Sequence, residues 1–367
     1  MKIAEIHIYQ HDLPVVGPAY KMSLSQVTKL DTTIVEVVTN TGISGFGETC
    51  PVGPTYQPAH AAGARAAIAE IAPHLIGLEP LTIGTVQRRM HQALAGHNYA
   101  KAALDIALWD IAGKVHGMRV CDLLGGAARE RVQSYYAVGI DEPDEVARVV
   151  RDKQGEGFVR LQIKVGGRNV AQDIEVVRKV FEVRDPAVSI TLDANRAWTT
   201  RDAIQLSMAC SDLDFVMEQP CATYDEVKSI KSLVRHPIYL DENTVDLNMI
   251  MRSIYDGVAD GFSMKTTRVG GLTNMRTIRE ICQATNRPLS CDDSWGGDII
   301  AAACLHIGAT VPPNLSEGVW IADPYIEGNY DPENGIRLKD GWLDVPKGPG
   351  LGIVPDKSLW STPQSFA

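Results

Sequence analysis

Nowhere in the 367 residues do eighteen apolar residues run together, and the segment after Lys2 alternates polar and apolar residues instead of forming an apolar signal core. Neither membrane insertion nor export is expected, and the reading is a cytoplasmic protein. Lysine and arginine form no cluster, and the formal charge is −10. A nucleic-acid or anionic-membrane surface needs dense positive charge, so the expected partner is a small molecule, with no nucleic acid and no membrane. The seven cysteines are odd in number and show no paired spacing, which argues against a disulfide framework and against a Cys-type zinc site. No nucleotide fingerprint is present. Arg268-Val269-Gly270-Gly271 could be read as a phosphate loop, but glycine after a strand more often permits a tight turn.

What is present is an ordinary globular composition, 45% hydrophobic and 22% charged, able to bury a large core. Ile6 and Ile8 alternate, and the runs Ile34 to Val38 and Ile43 to Phe46 flank the turn Asn40-Thr41-Gly42, a hairpin signal. Helical spacing follows in Val86, Met90 and Leu94, then in Leu104, Leu108, Ile111 and Val115, which predicts two helices with one apolar face each. From about Ser134 short β-rich runs alternate with amphipathic helices such as Val146, Val149, Val150 and Ile174, Val177, Phe181. Thr223 to Glu226 has the form of a capping box. After about Asp323 the pattern dissolves into Gly, Pro and Asp. The expected division is a small α+β domain over residues 1–125, a βα-repeat domain over 126–322, and a segment over 323–367 that packs back on the small domain.

The strongest signal is a ladder of ionisable residues closing successive strand-like runs: Lys164, Asp193, Glu218, Asp241, Lys265, Asp292 and Glu317, at intervals of 23 to 29 residues. One βα unit has about that length, so each side chain is expected at the C-terminal end of its own strand, with all seven converging on one mouth of a parallel barrel. Any single acid after a strand is more often a helix N-cap or a solvated turn residue. Three consecutive acids between two lysines point instead to a site. Asp193, Glu218 and Asp241 offer hard oxygen ligands without nearby His or Cys, which favours Mg²⁺, with Mn²⁺ as the other candidate. Lys164 and Lys265 bracket the acids and would face each other across the mouth, as proton transfer to both faces of one carbon requires. A lysine works as a base near neutral pH only when burial or neighbouring positive charge lowers its pKa. Removing a proton beside a carboxylate creates charge on the carboxylate oxygens, which a metal stabilises. Asn195 and Gln162 share their neighbours' side of the strand and could orient ligands or bind substrate oxygen; as lone amides they could equally be structural.

These residues resemble the enolase superfamily, specifically its muconate-lactonizing and mandelate-racemase-like branches, over nearly the whole chain. The resemblance is carried in order by AKAALDIALWDIAGK (Ala100 to Lys114), LLGG (Leu123 to Gly126), LQIKVGG (Leu161 to Gly167), LDAN (Leu192 to Asn195), EQPC (Glu218 to Cys221), LDEN (Leu240 to Asn243), MKTTRVGGLT (Met264 to Thr273) and CDDSWGGD (Cys291 to Asp298). It implies an α/β fold, a modified (β/α)7β TIM-type barrel under an α+β capping domain. It also implies Asp193, Glu218 and Asp241 on Mg²⁺, Lys164 and Lys265 as the acid/base pair, and a homo-oligomer. Glu242 of LDEN joins Asn195 as an expected support of the ligands. Gln162 stands where many relatives carry the first lysine of Lys-x-Lys, which argues against a generic dipeptide epimerase. Within the branch, GETCPVGPTYQP (Gly47 to Pro58), GHNYAKAA (Gly96 to Ala103), CDDSWGGDIIAAAC (Cys291 to Cys304) and SEGVW (Ser316 to Trp320) resemble the 4-hydroxyproline betaine 2-epimerases. That implies an isomerase acting on a proline-betaine-type or amino-acid-like carboxylate. Tyr56 and Trp320 could then form an aromatic cage for a quaternary nitrogen, with Trp295 a further candidate for the wall; packing between cap and barrel is the plain alternative. Asp292 and Asp293 are read as residues that orient Lys265 or cap the following helix. Two rival readings are a dehydratase of a hydroxyproline through the same proton abstraction, and a non-catalytic betaine-binding barrel.

Overall fold

The hairpin read around Asn40-Thr41-Gly42 forms one side of a four-stranded antiparallel sheet, with Ser44–Thr49 at its edge. Lys29–Thr39 pairs with Ser44–Thr49 on one side and with Ile3–Pro14 on the other, and Gly42 takes the left-handed φ of +83° that the turn requires. The computed structural model describes every residue except Pro18, Ser23, Leu24 and Pro54, together with the side chains of all but those four, Met22 and Ser25. Pro54, inside the GETCPVGPTYQP motif, thus lies outside the described residues. The fourth strand, Gln364–Phe366, comes from the far end of the chain and pairs antiparallel with Ile6 to Ile8. Earlier in the same closing stretch Trp342–Asp344 pairs with Arg131–Gln133 beside the barrel. The tail therefore touches both parts of the molecule.

Three helices, Ala61–Ile71, Ile83–Ala93 and Asn98–His116, pack on this sheet. Ile83–Ala93 buries Val86 and Met90, half-buries Ile83, Gln87 and Ala93, and exposes the rest, as a one-faced helix should. Asn98–His116 departs from that expectation: it is buried on all sides from Tyr99 to Gly113, charged Lys101, Asp105 and Asp110 included. The helix is sandwiched between the cap sheet and the barrel. On the sheet side a Cβ at Gly47 would lie 1.8 Å from the Ala103 carbonyl oxygen, so only glycine lets strand and helix approach so closely. On the barrel side Asp105 accepts from the Thr273 amide and hydroxyl at 3.0 and 2.7 Å.

The βα texture from Ser134 onward forms a seven-stranded, all-parallel sheet in chain order: Tyr136–Val138, Arg160–Lys164, Ser189–Asp193, Val216–Glu218, Ile238–Leu240, Gly261–Lys265 and Leu289–Asp292. The stretch 315–319 closes the ring. Leu289 and Cys291 donate to the carbonyls of Leu315 and Gly318, and Val319 donates to Gln133 at 3.0 Å on the other side. The result is the (β/α)7β barrel under an α+β cap that the motifs imply. Thr223 caps the helix Tyr224–Ile230 through the reciprocal Thr223–Glu226 pair. Among the described residues no helix is long and apolar enough to cross a membrane.

Candidate active site

Lys164, Asp193, Glu218, Lys265 and Asp292 are each the last residue of a barrel strand, and Asp241 directly follows one. The parallel register places Lys164 beside Asp193, Asp193 beside Glu218, and Lys265 beside Asp292. Glu317, the seventh rung, does not join them. Its carboxylate accepts from the Tyr239 hydroxyl at 2.8 Å and lies 3.6 Å from the guanidinium of Arg160, the first residue of its strand, so it belongs to a deeper layer of the barrel. Alternation within short strands decides this: the closing stretch carries no regular strand register to lift Glu317 to the rim.

Lys164, Asp193, Asp241 and Lys265 line a single cavity between barrel and cap, and Gln162, Tyr56, Trp295 and Trp320 share it. In the eight-position ring the Lys164 and Lys265 strands are four places apart, so the two amines enter from opposite sides. Glu218 stands behind Gln162, whose amide donates to it at 2.9 Å.

Each acid has a different neighbourhood. Asp193 takes the Lys164 ammonium directly, and the Asn195 amide and side chain donate to it at 2.8 and 3.0 Å. The same Asn195 side chain reaches Glu242 at 3.2 Å, which makes Asn195 a bridge between two carboxylates; it holds a left-handed φ of +42° to do so. Asp241 accepts from Arg268 at 2.5 Å and from the Tyr56 hydroxyl at 2.7 Å. Burial would raise its pKa, yet Arg268 and Lys265 outweigh burial and bring it down to about 2. At Glu218 the lysines Lys265 and Lys164 pull the same way but are outweighed. Burial, then the charges of Asp193 and Asp241, push it up to about 7, and its Oε1 is buried without a partner. Glu242 rises to about 8 through burial and the same two acids.

The lysines behave differently from the expectation of a lowered pKa. Burial acts to lower both, but Asp193 beside Lys164, and Asp241 and Asp292 beside Lys265, override it and hold both ammonium groups above the usual lysine range. Positive charge able to draw off those carboxylates is needed before either amine can serve as a base.

Among the described residues no three His, Cys, Asp or Glu side chains are gathered as a finished metal cage; Asp193 is turned to Lys164 and Asp241 to Arg268. The donor set nevertheless fits a hard cation. The acids stand on adjacent strands, Glu218 Oε1 is an orphaned buried oxygen, and a divalent charge relieves the mutual repulsion that raises Glu218.

Trp320 and Tyr56 do line one cavity, but the rings against Trp320 are those of Trp295 at 5.3 Å and Tyr325 at 5.4 Å, and Trp295 meets Tyr20 at 5.4 Å. The Tyr56 hydroxyl is committed to Asp241. Neither Asp292 nor Asp293 caps the following helix. The N-cap of Asp298–Ala309 is Gly297, and the carboxylate that accepts from the Gly297 and Ile300 amides is Glu48 of the cap, at 2.9 and 3.1 Å. Asp293 instead accepts from Thr267, at 2.7 and 2.8 Å, while Asp292 lies 3.7 Å from the Lys265 amine. Three site residues escape a reading of the sequence. Tyr20 and Tyr135 line the cavity without any motif to mark them. Arg268 had a signal, three residues after Lys265 in KTTRVGG, but the glycines beside it pointed to a tight turn, with a phosphate loop as the weaker alternative, and neither reading gave Arg268 a place beside Asp241.

Comparison with known proteins agrees with this architecture. Residues 3–125 match the mandelate racemase / muconate lactonizing enzyme N-terminal domain, and residues 144–359 match the enolase C-terminal domain-like family. A cis-3-hydroxy-L-proline dehydratase of Roseibium aggregatum is 38% identical over 357 residues, covering 97% of this chain and 96% of that protein. A hydrophobic dipeptide epimerase of Enterococcus faecalis is 30% identical over 77% of this chain and 80% of its own length. The crystal structure of an enolase-superfamily member from Roseovarius nubinhibens ISM, complexed with magnesium, superposes with a TM-score of 0.94 at 33% identity over 100% of this chain and 99% of that one. The chain therefore belongs to the enolase superfamily, in its mandelate racemase/muconate lactonizing branch, and is an enzyme of the kind whose relatives include epimerases, cycloisomerases and dehydratases.

Proposed function

We propose that this enzyme is a racemase or epimerase that exchanges the α-proton of a proline-betaine-type carboxylate between the two faces of the carbon, with 4-hydroxyproline betaine and proline betaine as substrates. The observation that carries the reading is the entry of two buried lysines into one cavity from strands four places apart, with the acid-bearing strands between them. Asp193, Glu218 and Asp241 would hold Mg²⁺, which supplies the positive charge that the carboxylate oxygens of a deprotonated substrate require. One lysine accepts the α-proton while the opposite lysine donates to the other face. Gln162 fixes Glu218, and Asn195 fixes Asp193 and Glu242, so the ligands stay aimed.

Quaternary nitrogen donates no hydrogen bond and is recognised by ring faces. The Trp295, Trp320 and Tyr20 rings supply such a wall. The cavity measures about 40 Å³, room for a few waters, so binding of a betaine requires the side chains that line it to move apart.

The 38% identity to a cis-3-hydroxy-L-proline dehydratase favours one second reading: the same proton abstraction from a hydroxyproline, followed by loss of hydroxide from the neighbouring carbon. Incubation with Mg²⁺ in ²H₂O separates the two. Proline betaine and 4-hydroxyproline betaine should each yield both stereoisomers carrying deuterium at the α-carbon, read by proton NMR and polarimetry. An unsaturated product from cis-3-hydroxy-L-proline with no exchange into either betaine would establish the dehydratase instead. Equal turnover of free and N-methylated prolines would overturn the aromatic recognition of the nitrogen.

A further inference from the structure

We infer that Tyr135 is a positioning residue for Lys265, acting through Asp292, and that it governs how well the Lys265 face of the substrate carbon is served. The inference rests on the two-lysine reading above.

Tyr135 immediately precedes the first barrel strand and borders the catalytic cavity. The Arg160 guanidinium lies 4.2 Å from its ring centroid and pins the ring. Its hydroxyl donates to Asp292 Oδ2 at 2.8 Å, the Ser290 hydroxyl donates to that same oxygen at 2.5 Å, and the Trp320 amide donates to Oδ1 at 2.6 Å. Oδ2 of the wholly buried Asp292 is thus filled by two neutral hydroxyls, while Oδ1 takes the Trp320 amide. Lys265 Nζ stands 3.7 Å from Asp292 Oδ2 and 3.7 Å from Asp241 Oδ1, outside hydrogen-bonding distance of either. Lys164, by contrast, is bonded directly to Asp193.

The two hydroxyls occupy the lone pairs through which Asp292 would otherwise capture the amine. Removing the Tyr135 hydroxyl leaves a buried carboxylate oxygen one donor short, a state costly enough to be repaired by the nearest cation. That cation is Lys265. Closing the 3.7 Å gap to the usual charge-assisted length of about 2.8 Å draws the amine toward the wall and away from the substrate carbon. Proton transfer is steeply sensitive to a displacement of that size.

The test measures loss of the α-proton from each enantiomer of proline betaine in ²H₂O with Mg²⁺, by proton NMR. Lys164→Ala and Lys265→Ala assign which enantiomer each lysine serves. In Tyr135→Phe the ratio of Lys265-face to Lys164-face exchange should fall about tenfold, and inversion should fall with it while the Lys164-face enantiomer exchanges without inverting. Ser290→Ala, which removes the other donor to Oδ2, should shift the ratio in the same direction. An unchanged ratio, or rates that fall together on both faces as a merely structural loss would produce, overturns the inference. Absence of exchange in the wild-type enzyme overturns the proton-transfer reading itself, and this inference with it.

Discussion

Glu218 shows what each side chain contributes beyond its identity. Three acids close adjacent strands, yet they are not equivalent: Asp193 is paired with Lys164, Asp241 with Arg268, and Glu218 only with an uncharged amide. The repulsion of the set therefore concentrates on Glu218. Replacing it with Gln removes a buried, underpaired charge and a metal ligand together, so Glu218→Gln should melt higher than wild type without divalent cation. Its melting temperature should also stop rising when Mg²⁺ is added. A wild-type protein whose melting temperature ignores Mg²⁺ would contradict the proposed metal site. The acids and lysines were legible because each ends a strand-like run. Arg268, Tyr20 and Tyr135 were not, since their roles arise from side chains that other elements bring to them, and no local pattern records that.

At the scale of elements, the barrel register does most of the positioning. Alternating side chains in strands of three to five residues leave one polar group at or just after each strand end, which is why six rungs stand at the barrel rim while Glu317, whose stretch has no such strand, does not; of the six, Lys164, Asp193, Asp241 and Lys265 line the cavity. The helix Asn98–His116 failed differently. A heptad-like reading finds an apolar face but cannot see that the opposite face is also covered. That close packing makes Gly47 a sensitive point: Gly47→Ala forces a Cβ into the Ala103 carbonyl. The cost should be about 3 kcal/mol or more, read by urea unfolding with Mg²⁺ absent. Glu48 ties the same strand to the helix that follows the Trp295 loop, so Glu48→Gln, which replaces one acceptor oxygen by a donor facing the amides, should raise KM more than it lowers kcat.

Across the whole molecule, cap, barrel and tail are stitched by buried polar groups whose protonation the fold dictates. His306, on a barrel helix, accepts from the Cys121 amide at 3.3 Å and donates to the Leu351 carbonyl at 3.1 Å, and burial lowers its pKa to about 4. The unfolded chain, with an ordinary histidine, binds the proton first as pH falls. His306 thus stabilises the fold fully above pH about 6.5, and that contribution, on the order of 3 kcal/mol, is lost as pH falls from there toward about 4. His306→Gln should flatten this part of the stability profile. The central claim concerns a still larger arrangement, two lysines carried to opposite sides of one carbon by strands on either side of three acids. The direct measurement is α-proton exchange of each enantiomer of proline betaine in ²H₂O by the single-lysine variants. Lys164→Ala should exchange one enantiomer only and Lys265→Ala only the other, with inversion abolished in both. Exchange of both enantiomers by either variant, or loss of the same enantiomer in the two, would contradict the account.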